Sequence, residues 1–129
     1  QHNGFPVVEP GTSRLCGMIQ RGLLQYVLWY SVAYGTLHSP DAANAAVRDD
    51  MVPYAETSRD GPNWKTVEEI RAALTPEGCL LQFEMGPYVN TSAFAVRESV
   101  TLRRAYMLFR TMGLRHLPVI SEDGCVCGI

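Results

Sequence analysis

The sequence predicts an α/β fold built from two related, incomplete β-α-β-β-α units packed as one module. Three observations predict it. The block His2-Asn-Gly-Phe-Pro-Val-Val8 returns as Leu114-Arg-His-Leu-Pro-Val-Ile120, and Leu15-Cys16-Gly17-Met18-Ile19 returns as Val126-Cys127-Gly128-Ile129. The spacing between the blocks is kept to within one residue, Pro6 matching Pro118 at an offset of 112 and Gly17 matching Gly128 at 111. Each copy also carries the flank the other lacks: a helical pattern follows the block in the first copy, and a strand and helix precede it in the second.

In chain order, Gly4 to Val8 and Leu15 to Ile19 form a strand pair. A helix follows near Arg21 to Tyr30, with Leu23, Leu24, Val27 and Leu28 as its apolar stripe. Ser39-Pro40-Asp41 opens a short helix with a serine cap and a proline in the first turn. Thr66-Val-Glu-Glu69 has capping-box spacing ahead of Ile70, Ala73 and Leu74, and Thr57 to Pro62 reads as a looser stretch. In the second copy, Ser92 to Val96 is a strand. Ser99 caps a helix running to about Met112, with Ala105, Leu108, Phe109 and Met112 on one face, so that Leu108 and Phe109 are expected to be buried. Gly113 ends that helix. Leu117 to Ile120 is a strand, Glu122-Asp123-Gly124 a turn, and Cys125 to Ile129 the returning strand. The organisation is thus residues 1–35 as the C-terminal part of repeat one, 36–84 as a linker with short helices, and 85–129 as the N-terminal part of repeat two. The first copy lacks its leading strand and helix and the second its closing helix, which marks the chain as a segment of a longer protein.

Composition excludes several classes of function. With 129 residues, 47% of them hydrophobic, and a formal net charge of −2, the chain is neither a disordered acidic tail nor a polybasic nucleic-acid binder. The apolar run Gly22 to Gly35 is shorter than the roughly 20 residues needed to cross a bilayer and contains Gln25, so it reads as a buried helix. Cys16, Cys79, Cys125 and Cys127 have no CxxC pair and no companion histidines. They read as reduced cytosolic thiols rather than disulfides or a metal site, and Cys16 and Cys127, equivalent in the two copies, as small buried apolar positions. There is no phosphate-cradling Gly-x-x-x-x-Gly-Lys loop, no His-Glu-x-x-His pair and no Gly-x-Ser-x-Gly elbow, so no enzyme is expected.

The start His2 to Val8 followed by a Leu-x-Gly-x-Ile block resembles the first CBS repeat of eukaryotic CLC proteins. Gly86 to Val96 followed by Leu102 to Val119 is similar to the entry of their second repeat, with Phe109-Arg-Thr-Met-Gly-Leu-Arg-His-Leu117 as the specific run. The resemblance covers most of residues 1–35 and 80–129. It implies a cytoplasmic regulatory and dimerisation module of a CLC-type chloride channel or chloride/proton exchanger, lying below the transmembrane domain of the same protein, on the cytoplasmic face of a plasma or organelle membrane, and forming a homodimer. It also implies ATP or another adenine nucleotide as a regulatory ligand, with no metal and no nucleic-acid partner. Where the family often has Met-Asn-Pro, this chain has Val89-Asn90-Thr91. The aspartate that holds the ribose in nucleotide-binding members falls just past Ile129. The alternative is a nucleotide-sensing CBS pair of a soluble protein.

The nucleotide-binding candidates are His2, Asn3, Gly4 and Arg115. The resemblance places His2 and Asn3 where relatives set a ring on adenine and backbone groups at its edge. An imidazole stacks on a purine, and a glycine at position 4 permits close backbone approach. Arg115 is the repeat equivalent of Asn3, and its guanidinium suits phosphate oxygens. Arg103, Arg104 and Arg110 read as a solvated helix face, and His116 as a strand-end side chain rather than a ligand.

Overall fold

The computed structural model describes residues 3–37, Ser39 and 65–129. The helix expected from Ser39-Pro40-Asp41 and the loose stretch 57–62 fall outside the described residues. Two compact units result, one from residues 1–21 with 89–129 and one from residues 22–88.

The first unit brings the two repeat blocks together. Strands β1 (Gly4–Val8) and β2 (Leu15–Gln20) form an antiparallel hairpin, with Gly4 opposite Gln20 and Val7 opposite Gly17. In the second block β3 (Val96–Arg97) runs parallel to β4 (Val119–Ile120), which pairs antiparallel with β5 (Val126–Gly128). Helix α3 (Leu102–Thr111) makes the crossover that a parallel pair requires. Ile19, Val96 and Pro118 are buried, as are Gly4 and Gly17.

The two hairpins share their irregularities. Val7 opposes Gly17 and Val8 opposes Leu15, so Cys16 is skipped; Val119 opposes Gly128 and Ile120 opposes Val126, so Cys127 is skipped. Each is the extra residue of a β-bulge. This corrects the expectation of two buried apolar cysteines: Cys16 and Cys127 are exposed, because a bulged residue leaves the ladder. The turns match as well. Glu9 N–H donates to the Arg14 carbonyl at 2.8 Å, and Ser121 N–H to the Cys125 carbonyl at 2.9 Å. The first turn is one residue longer, which accounts for the change of offset from 112 to 111.

Helix α3 begins two residues later than the sequence suggests. Thr101, not Ser99, is its cap, accepting from Arg104 N–H at 3.4 Å, and the strand expected over 92–96 pairs only at Val96 and Arg97, since β4 offers two partners. Gly113 does end the helix, at φ +60°, with Leu114 N–H donating to the Phe109 carbonyl at 3.0 Å and Gly113 N–H to that of Arg110 at 3.3 Å. These two bonds are a Schellman motif, which satisfies otherwise orphaned carbonyls and turns the chain toward Arg115 and His116. The expected burial of Leu108 and Phe109 is overturned. No residue of α3 is buried, and Phe109 is 38% exposed. An apolar stripe fixes a helix's inner face but not that anything lies against it.

In the second unit, α1 (Arg21–Tyr34) runs four residues beyond the expected end and buries Val27 and Ser31. Tyr30 and Tyr34, one turn apart, stack with ring centroids at 4.3 Å. Helix α2 (Val67–Ala73) has the expected capping box: Thr66 accepts from Glu69 N–H, and the Glu69 carboxylate accepts from Thr66 N–H at 2.7 Å. That backbone bond is the main reason the Glu69 carboxyl sits below its ordinary range. No described helix is long and apolar enough to cross a membrane.

Candidate functional site

The two blocks meet at two places inside the first unit. At the turns, Leu15 N–H donates to the Gly124 carbonyl at 3.0 Å and Val126 N–H donates to the Ser13 carbonyl at 3.0 Å. Leu15 is the repeat equivalent of Val126, and Ser13 that of Gly124, so the two bonds exchange under a local pseudo-twofold relation. Ser13 and Gly124 both have positive φ, +58° and +82°. Arg14 and Cys125, also equivalents, form the bridge between these bonds, and the Cys125 thiol donates to the Thr12 carbonyl at 3.1 Å.

The second meeting place is the entrance of β1. The Asn3 carbonyl accepts from Arg21 N–H at 2.9 Å, fixing the entrance to the end of β2. Asn3 N–H donates to His116 Nε2 at 3.2 Å. A Cβ on Gly4 would stand 3.2 Å from His116 Nδ1 and 3.5 Å from Met18 Cε, so the ring lies against a position that has no side chain. Gly4 and His116 are themselves equivalents at the offset of 112. Where equivalent residues face each other across a pseudo-twofold relation, only one has room for a large side chain.

Of the sequence candidates, the structure brings Asn3 and Gly4 together and sets the exposed Arg115 one residue from the ring that touches them. His2 lies outside the described residues. His116, set aside in the sequence reading, is the residue joining the second block to this entrance. The overlay of Gly4 on His116, a missing side chain opposite a large one, was the signal. No described group of three or more His, Cys, Asp or Glu residues could hold a metal ion.

On the other side of the hairpin, Met18 and Asn90 exchange backbone bonds of 3.0 and 2.8 Å. Gly17 permits this approach, since a Cβ there would lie 2.5 Å from the Asn90 carbonyl oxygen. The segment around Asn90 is the beginning of a recognised unit, because the family model described as "CBS domain" matches residues 86–129. Residues 86–129 are thus similar to a CBS domain. Beyond that match the similarity extends along the whole chain. The chloride channel protein CLC-d of Arabidopsis thaliana is 29% identical over 133 residues, covering 100% of this chain and 16% of that protein. The chloride channel protein CLC-c of the same plant is 33% identical, covering 95% of this chain and 16% of that protein. The H(+)/Cl(−) exchange transporter 7 of Homo sapiens is 27% identical, covering 99% and 15%. The chain therefore spans about one sixth of the length of these relatives. Among solved structures, that of CBSX2 in complex with AMP matches with a TM-score of 0.45 at 19% identity, covering 97% of this chain and 65% of that one.

Proposed function

We propose that this chain is part of the cytoplasmic regulatory and dimerisation module of a CLC-type chloride channel or chloride/proton exchanger, acting by binding and not by catalysis. The observation that carries this reading is the similarity to CLC channels and exchangers over 95–100% of the chain. The partners that follow are the transmembrane domain of the same protein and a second copy of the module. Adenine nucleotide, ATP among the candidates, is the proposed modulating ligand. Its place is the β1 entrance at His2, Asn3 and Gly4, with Arg115 nearby for phosphate oxygens. Two features of the entrance support this. Asn3 is exposed where the two blocks meet, and Arg115, one residue from the ring that bonds its amide, is exposed as well.

The test is calorimetry of the full-length protein with ATP, ADP and AMP, paired with chloride flux in liposomes containing it. The expected result is saturable binding of at least one nucleotide and a flux that changes with its concentration. Because stacking on an aromatic ring contributes about 1–3 kcal/mol, His2→Ala should weaken binding by about tenfold. No binding of any of the three at millimolar concentration removes the ligand. A flux indifferent to deletion of the segment removes the regulatory role.

A further inference from the structure

We propose that His116 is a proton-released latch that holds the β1 entrance against the CBS domain. Asn3 N–H can only donate, so Nε2 must present a lone pair, and the ring proton then sits on Nδ1. Protonating the ring places a hydrogen on Nε2 and leaves two donors facing each other. Flipping the ring does not restore the bond, because a carbon would replace the acceptor nitrogen. Histidine is the one ordinary side chain whose charge changes between about pH 5 and 8, which makes pH the variable that tests the contact.

Beside the ring lie the Asn3 backbone amide and Gly4, with Met18 Cε close to the same point. Two cations adjoin the contact: Arg115 precedes the ring in the chain, and Arg21 N–H holds the Asn3 carbonyl. No described carboxylate forms an ion pair with His116. Neutral His116 therefore joins the entrance to the second block, and protonated His116 releases it. Acid release acts locally, since Asn3 is exposed and water takes up its N–H. The entrance is freed while the turn-to-turn bonds at Ser13 and Gly124 persist. The latch rests on the reading of the entrance as a nucleotide site only for its effect on a ligand; the contact itself is a property of the ligand-free chain.

The experiment is a proton NMR titration of the ligand-free chain from pH 8 to 5, carried out in a His2→Gln background so that the neighbouring imidazole does not contribute. The expected result is that the Asn3 amide shift follows the His116 ring protons with one common midpoint. Adding His116→Gln, whose side-chain oxygen accepts without titrating, should flatten the Asn3 curve while the amide keeps its hydrogen-bonded position. An Asn3 amide that does not move with the His116 ring, or that titrates equally after His116→Gln, overturns the latch. If the double variant does not fold, the comparison of midpoints in the single variant still decides. Adding AMP at pH 8 and at pH 5.5 to the chain with His2 restored separates the two proposals. An unresponsive entrance with an intact latch removes the nucleotide, and binding without co-titration of Asn3 removes the latch.

Discussion

The β1–β2 and β4–β5 hairpins have nearly the same backbone and almost none of the same side-chain environment. Both bulge at a cysteine, both close a turn with a carbonyl four or five residues on, and both place a positive-φ residue where the other hairpin's N–H arrives. They differ where each meets something other than its twin. Gly17 is pressed on by Asn90, whereas nothing described lies within 4 Å of a Cβ at its equivalent, Gly128. Gly4 gives up its side chain so that its equivalent, His116, can keep one. A repeat preserves the hydrogen-bonded frame, and the contacts made across the frame decide which residues diverge.

The largest effect expected from breaking this comparison is at Ile19, which is 2% exposed and anchors β2. Ile19→Ala should cost about 2–5 kcal/mol by denaturant unfolding. A loss below about 1 kcal/mol would show that the hairpin's buried face contributes little to the unit.

The two glycines test the frame more directly. A Cβ on Gly17 would stand 2.5 Å from a backbone oxygen, and backbone, unlike a flexible side-chain end, cannot move aside without breaking the Met18–Asn90 pair. Gly17→Ala should therefore destabilise by about 1–3 kcal/mol, whereas Gly128→Ala should stay within about 0.5 kcal/mol. Equal effects at the two positions would mean that the hairpins are not differently confined.

Helix α3 provides a milder contrast. Truncation of a fully buried phenylalanine costs about 3–5 kcal/mol, but Phe109 is 38% exposed, so Phe109→Ala should cost only about 1–2 kcal/mol in the isolated chain. A loss at the full core value would mean that the helix is covered in solution by something these contacts do not include.

The parts of the fold legible in the sequence are those fixed by local chemistry. The repeat announced itself through Pro-Val-Val/Ile and x-Cys-Gly because both copies build the same bulged hairpin, although only Gly17 is closely approached. The Thr66 capping box and the Gly113 helix end were legible because each is settled within four residues. Burial was not. The stripe on α3 carries the helical period whether or not a neighbour is present, and Cys16 and Cys127 look like core residues until pairing shows that each is the residue left out. At the candidate site Asn3 and Gly4 were legible as a glycine-bearing strand entrance, but His116 lies 113 positions from Asn3 and gains meaning only when the two blocks face each other.

The smallest predicted effect distinguishes the two turns. Ser13 and Gly124 occupy equivalent positions at φ +58° and +82°, and both offer their carbonyls to the other hairpin. A side chain in the left-handed region costs about 1–2 kcal/mol, so the first turn carries a strain the second avoids. Gly124→Ser has room, since the nearest atom to its new Cβ would be Arg14 Nε at 3.8 Å, and the substitution should reproduce the strain of Ser13 with a loss of about 1 kcal/mol. Ser13→Gly relieves the strain but gives the unfolded chain more freedom, worth about 0.4–1 kcal/mol in the opposite direction, so its net effect should lie within about 0.5 kcal/mol of zero. Thermal unfolding of both variants checks the pair. If Gly124→Ser is neutral and Ser13→Gly strongly stabilising, the strain is confined to the longer first turn, and the equivalence of the two turns ends at their hydrogen bonds.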